Sequence, residues 1–248
     1  MEIREYARKI LQSKKSRESR LILFSVIIGF LGAFSAQLFL WMIGISSDFF
    51  LGTIAGYTPP LPASEGGTLV EHISSHGYYF LPIATTLGGL LSGLLVFGLA
   101  PEAVGHGTDA AIRAFHRLGG SIRARVPVVK GIASAITIGS GGAAGREGPT
   151  AQIAAGISSI LATALRLPIE ERRVLMLAGM AAGISAIFKT PLGAAILVVE
   201  VLYSSTDFEV EALMYTIIAA SVAYAVNGFF SGWTPIFEIS PGLHFQNA

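Results

Sequence analysis

The chain has 248 residues, of which 52% are hydrophobic and only 13% charged, with a net charge of +1. A soluble domain carries about a quarter charged residues, so composition excludes an ordinary water-soluble domain. There are no cysteines, which removes disulfides, iron–sulfur clusters and Cys-based zinc sites, and the five histidines, His72, His76, His106, His116 and His244, show no metal-ligand spacing.

The first 20 positions hold Arg4, Arg8, Lys9, Lys14, Lys15, Arg17 and Arg20, seven of the 17 basic residues. They read as an amphipathic basic lead over residues 1–19, on the cytoplasmic side by the positive-inside rule. The following apolar stretch is longer than the core of a secretory signal, and more spans follow it, so a retained first helix is expected rather than a cleaved one. Leu21–Ile45, Tyr78–Ala100 and Ala212–Phe237 contain no charged residue, and each exceeds the roughly 18–20 residues that cross a bilayer as a helix. The sequence thus predicts an integral, multi-pass, all-α membrane protein with long spans over 20–46, 78–100 and 209–230. Between the first two, Ser47–His76 lacks Lys and Arg, and its Tyr57-Thr-Pro-Pro-Leu-Pro segment reads as an irregular external loop. A second basic group, Arg113, Arg117, Arg123, Arg125 and Lys130, follows two spans and returns to the cytoplasmic side.

After Pro101 the apolar pieces shorten and are broken by Gly and Pro. They run over 105–117, 127–141, 148–165, 171–187 and 191–204. Several are too short to span alone, and broken helices are tolerated at membrane depth only where they are buried in protein or line a cavity. In transporters such half-helices aim their N-termini at anionic substrates. The small-residue clusters at 154–156, 178–183 and 193–195 predict close helix packing.

One carboxylate stands out. Gly139-Ser-Gly-Gly-Ala-Ala-Gly-Arg-Glu-Gly-Pro149 sets Glu147 between two uncharged stretches, Gly131–Gly145 and Gly148–Leu165. An ionisable group there costs about 2.5–3.5 kcal/mol on insertion scales and marks a functional site by default. Pro149 suits the first turn of a helix, so Glu147 is expected at a helix N-terminus, a place suited to anions. The residues alone leave open whether Glu147 acts on an anion or only pairs with Arg146 or a distant arginine. Gly139–Ala144 also fits G-x-G-x-x-A, but a dinucleotide site needs an acid about 20 positions on, and none occurs before Glu170. No nucleophile–base–orienter set or metal constellation is visible, so an enzyme is not expected, nor are a cofactor or a nucleic-acid partner.

The Gly145-Arg-Glu-Gly-Pro149 segment and its surroundings resemble the gating-glutamate motif of the CLC chloride channel and proton–chloride exchanger family. Gly179–Gly193 resembles the helix–break–helix that follows the motif, Val198-Val-Glu-Val201 resembles its continuation, and Gly105-His-Gly-Thr-Asp109 stands where the family has its first anion-binding motif, usually Gly-Ser-Gly-Ile-Pro. The resemblance covers about 20–240 and implies the N-terminal half of the fold, the first of two inverted repeats with broken and re-entrant helices. It implies chloride or a similar anion as the transported ion, Glu147 as gate and proton carrier, and Gly105, His106, Gly107, Gly145, Arg146, Gly148 and Pro149 around the anion. His106 replaces the family's serine; its N–H could donate in place of the hydroxyl, and the plainer reading is a helix cap. Glu200 is a buried-looking acid, either an aid to a proton path or structural. The family's inner proton glutamate falls at Val201, as in the channel branch, although some exchangers also lack it.

No segment of the second half is recognisable, and 241–248 reads as the linker toward it. The expectation is a membrane half in the cell membrane that transports chloride, with protons in an exchanger, once joined by a second half, and that forms a homodimer through its last helices. The alternative is a truncated or remnant half serving as a non-transporting scaffold or partner subunit.

Overall fold

A computed structural model describes residues 14–60, 72–74, 77–203 and 210–233. The proposed divisions at 1–19 and 241–248 fall wholly or mostly outside these residues. Within them eight α-helices follow in order: α1 Lys14–Ser47, α2 Gly77–Leu99, α3 Thr108–Arg117, α4 Arg125–Gly139, α5 Glu147–Ala164, α6 Ile169–Phe188, α7 Pro191–Tyr203 and α8 Val210–Ser231. The described residues agree with the all-α reading, apart from one two-residue antiparallel pairing, β1 Tyr57–Thr58 with β2 His72–Ile73. Among the described residues three helical stretches are long and apolar enough to cross a membrane: Arg17–Ala55, Gly77–Leu99 and Glu211–Ser231.

Two boundaries differ from expectation. Of the basic lead, residues 14–19 are described, and they belong to the same helix as the first span, which runs unbroken from Lys14. At its other end α1 continues as a π-helix over Asp48–Ala55, where Ser46-Ser-Asp48 suggested a loop. The wider coil is marked by Thr53 Oγ1, which donates to Asp48 O five residues back at 3.1 Å. Gly56 ends it in a left-handed conformation, φ 60°.

The core is built around α6. Val174–Ile187 is buried without interruption, the mark of a helix apolar on all sides and surrounded by others. It packs on α5, α8, α1 and α7. Small residues make these contacts possible, as the sequence predicted. A Cβ at Gly32 of α1 would lie 2.6 Å from Ala182 Cβ, and one at Gly183 would lie 2.8 Å from Ala154 Cβ and 3.0 Å from Thr150 O of α5. Gly193 is the exception: it is exposed and meets only Thr190, at 3.6 Å or more. The outward faces of α1 and α2 carry Phe34, Trp41, Leu94 and Phe97, each more than half exposed. Such a surface suits lipid and not water.

Candidate functional site

The site is assembled from two segments that lie about 40 residues apart in sequence. The first is the connection from α2 to α3. After a 3₁₀ turn at Pro101–Ala103 and an extended Val104, Gly105 adopts φ +84° and Gly107 φ +116°. Both angles lie where only glycine is comfortable. They turn the chain sharply around His106 and launch α3 at Thr108.

The second segment is the start of α5. Arg146 is its N-cap and Glu147 its first residue, as the sequence predicted. The Arg146 carbonyl accepts from Thr150 N at 3.2 Å and from Thr150 Oγ1 at 2.7 Å. Thr150 is thus the first residue bonded within the helix. The amides of Glu147 and Gly148 have no helical acceptor, a property of every helix start, and Pro149 has no N–H. No side chain caps this end. The macrodipole adds about half a positive charge there. The Glu147 side chain, half-buried, folds back so that its carboxylate occupies the space a side chain at Gly145 would need.

These two segments touch through their glycines. A Cβ at Gly107 would lie 2.5 Å from Gly148 O, and a Cβ at Gly148 would collide with the His106 carbonyl and ring. Hence Gly105, His106, Gly107, Gly145, Arg146, Glu147, Gly148 and Pro149 form one neighbourhood. Within it Gly148 and Pro149 are buried, whereas Gly105, His106 and Gly145 are exposed. His106 Nδ1 shares a hydrogen bond with Thr108 Oγ1 at 2.7 Å, which leaves Nε2 for another partner. Among the described residues no three His, Asp or Glu gather as a metal site requires.

Glu200 is not buried. It sits in the last turn of α7 with its side chain exposed, on the outward face with Ile196, Leu197 and Val201. The uncharged run before it suggested burial, but α7 is one-sided: Ala194, Ala195, Val198, Val199 and Leu202 face the core, and position 200 falls opposite.

Sequence reasoning missed two neighbours of the site. Lys130, expected with the surface basic group, is 3% exposed and donates from Nζ to Ala103 O at 3.1 Å and Gly105 O at 2.6 Å. Gln152 is 1% exposed; its Nε2 donates to Glu102 O at 3.2 Å, and its Oε1 is buried without a partner. The signal for Lys130 was present: a lysine at the edge of the uncharged run Gly131–Gly145, flanked by Val128 and Val129.

Comparisons with known proteins bear on this arrangement. Residues 88–247 match the family described as voltage gated chloride channel. The H(+)/Cl(-) exchange transporters ClcA of Salmonella arizonae and Salmonella paratyphi B are each 32% identical over 180 residues, 70% of this chain and 37% of theirs. The chain therefore spans little more than a third of the length of these relatives. Among solved structures, a CLC-type fluoride/proton antiporter superposes with a TM-score of 0.70 at 23% identity, covering 95% of this chain and 52% of that one. A slow cyanobacterial Cl-/H+ antiporter gives 0.65 at 22% identity, covering 90% and 48%. The family match over residues 88–247, most of the chain, agrees with the fold shared with these structures, and the protein belongs to the voltage-gated chloride channel family.

Proposed function

We propose that residues 20–240 build one side of a CLC-type anion pathway and that a second, inverted half, on the same chain or another, builds the other side. The observation that carries this reading is the contact of the Gly105–His106–Gly107 turn with the helix start that bears Glu147. Free amides, a helix dipole and an imidazole N–H are neutral or weakly positive donors. They favour an anion without holding it so tightly that it cannot leave. Glu147 competes for the same place: its carboxylate is an anion tethered at the helix start. Protonated, or swung outward, it yields to chloride or a similar ion. His106 stands in for the family's serine and sets selectivity. Glu200, beside Val201, assists protons in an exchanger; in a channel it is a surface acid. The working protein is a membrane-embedded homodimer.

Reconstitution tests this. Vesicles containing the chain with a co-expressed second half should release chloride, with a dependence on pH that Glu147→Gln abolishes. Proton movement coupled to that flux identifies an exchanger, and its absence a channel. Flux that keeps its pH dependence in Glu147→Gln would sink the gate assignment. No flux from folded protein supports a non-transporting scaffold instead.

A further inference from the structure

The end of α1 and the helix α4 meet without closing on each other. They touch at two glycines of α4. A Cβ at Gly131 would lie 3.3 Å from Met42 Cε, and one at Gly139 would collide with Ser46 and the Ser47 amide. Between these points the floor is Ala135, 3% exposed, whose methyl group leaves a recess of about 280 Å³ walled by Met42, Phe50 and Ile136. A cavity with so apolar a wall stays dry. Its mouth is formed by Ile45, Phe49 and Ile132, each at least 41% exposed. Ile45 and Phe49 continue, at helical spacing, the exposed stripe of Phe34, Leu38 and Trp41 on α1. The mouth therefore opens onto the lipid-facing surface.

One polar side chain lines this recess. Ser46 is 8% exposed, and its Oγ is buried with no partner among the described residues. Hydroxyls inside helices usually bond back to their own carbonyls. Ser25 does so to Leu21 O at 2.8 Å and Thr137 to Ala133 O at 2.9 Å, but Ser46 does not. A buried donor without an acceptor is a cost that a ligand's acceptor removes, and a hydroxyl turns toward an acceptor placed beside it. Charge fixes the depth. Leu21–Ser47 is uncharged and Asp48 ends the run. Ser46 lies about 3 Å before Asp48 along the helix, and Met42 about 6 Å further in. Ser46 therefore stands where headgroups give way to acyl chains, and Met42 within the hydrocarbon.

We propose that this recess is a phospholipid site. One acyl chain, from the leaflet at the Asp48 end, fills it from Ser46 past Ala135 to Met42, and the ester carbonyl at the head of that chain accepts from Ser46 Oγ. Apolar contact alone gives no preference over bulk lipid, because acyl chains are as apolar as the wall. The hydroxyl supplies the preference, at the depth where a phospholipid carries its ester. The proposal is independent of the anion-site reading above.

Photolabelling tests it. The chain is reconstituted in phosphatidylcholine vesicles with increasing fractions of a phosphatidylcholine that carries a diazirine midway along one acyl chain, irradiated, and mapped by peptide mass spectrometry. Leu94 and Phe97, on the exposed face of α2, report passing lipid, and their labelling should rise in proportion to the probe. Labelling of Met42 and of Ala135–Ile136 should instead saturate. Ala135→Phe, which fills the recess, should abolish the saturable labelling and leave that of Leu94 and Phe97 unchanged. Ser46→Ala should raise the half-saturating fraction by roughly 2–10-fold, the worth of one hydrogen bond. Labelling at Met42 that rises linearly, or that persists in Ala135→Phe, overturns the site. An unchanged half-saturation in Ser46→Ala overturns the bond to the ester. Saturable labelling that disappears when a second half is co-expressed assigns the recess to that half and overturns the proposal as well. If Ala135→Phe does not fold, Ile132→Trp, at the exposed mouth, decides by the same reading.

Discussion

Gly105 and Gly107 flank one side chain, yet the constraints on them differ. Both have positive φ, at +84° and +116°, so an alanine at either position carries backbone strain of about 1–2 kcal/mol. Only at Gly107 does a Cβ also meet backbone, 2.5 Å from Gly148 O; at Gly105 nothing lies within 4 Å. Gly105→Ala should therefore lower the melting temperature while keeping chloride-dependent stabilisation. Gly107→Ala should lower it and also lose the chloride response, because the turn must separate from α5. Equal chloride responses in the two variants would show that the contact with Gly148 is irrelevant to the anion. The two glycines were legible as members of a motif, but not as distinct: the difference depends on which residue lies opposite, about 40 positions away. Lys130 was misread for the same reason. Sequence placed it beside arginines, while the fold turned it inward.

At the scale of elements, every apolar piece read between Gly and Pro breaks became a helix within a few residues of its expected ends. The uncharged runs and Pro101, Pro149 and Pro191 mark those ends by elementary chemistry. What the pattern could not show was the far end of α1, where polar Ser46, Ser47 and Asp48 interrupt the apolar signal but Phe50 and Leu51 remain buried. It also could not show which charges pair. Arg20 Nη2 bonds both oxygens of Glu171 at 2.7 and 2.8 Å, tying the start of α1 to the start of α6. Glu171 is 4% exposed, whereas the Arg20 side chain keeps 32% of its surface in contact with solvent. Breaking a fully buried pair costs about 3–5 kcal/mol, so with this exposure Glu171→Gln should cost roughly 1–3 kcal/mol, read as a lower midpoint of thermal unfolding in detergent. The swapped pair, Arg20→Glu with Glu171→Arg, should recover part of that loss. No recovery would mean that Glu171 matters through desolvation and not through Arg20.

Over the whole molecule, charge is sorted by end. The starts of α1, α6 and α8 come together through Arg20 with Glu171 and Arg17 with Glu211. The turn after α3 joins them: a Cβ at Gly119 would meet Ile169 at 3.0 Å, and one at Gly120 the Arg173 backbone at 3.1 Å, while Arg173 Nη2 donates to His116 O at 3.3 Å. Arg17, Arg20, Arg117, Arg172 and Arg173 therefore crowd one end of the bundle. The opposite end, with Asp48, Tyr57 and Thr58, belongs to a stretch with no Lys or Arg between Arg20 and Arg113. Arg117 of the second basic group thus comes to the end that holds Arg17 and Arg20 of the first. Retention of basic flanks on the cytoplasmic side then acts on all of them together, so a single orientation is expected. The absence of cysteine makes this measurable with single substitutions at exposed positions. On intact cells a membrane-impermeant maleimide should label Thr58→Cys, and should reach Ser19→Cys and Leu118→Cys only after permeabilisation. The reverse pattern would invert the topology. Labelling of all three from outside would mean that the chain inserts both ways, and the basic end would then not govern its orientation.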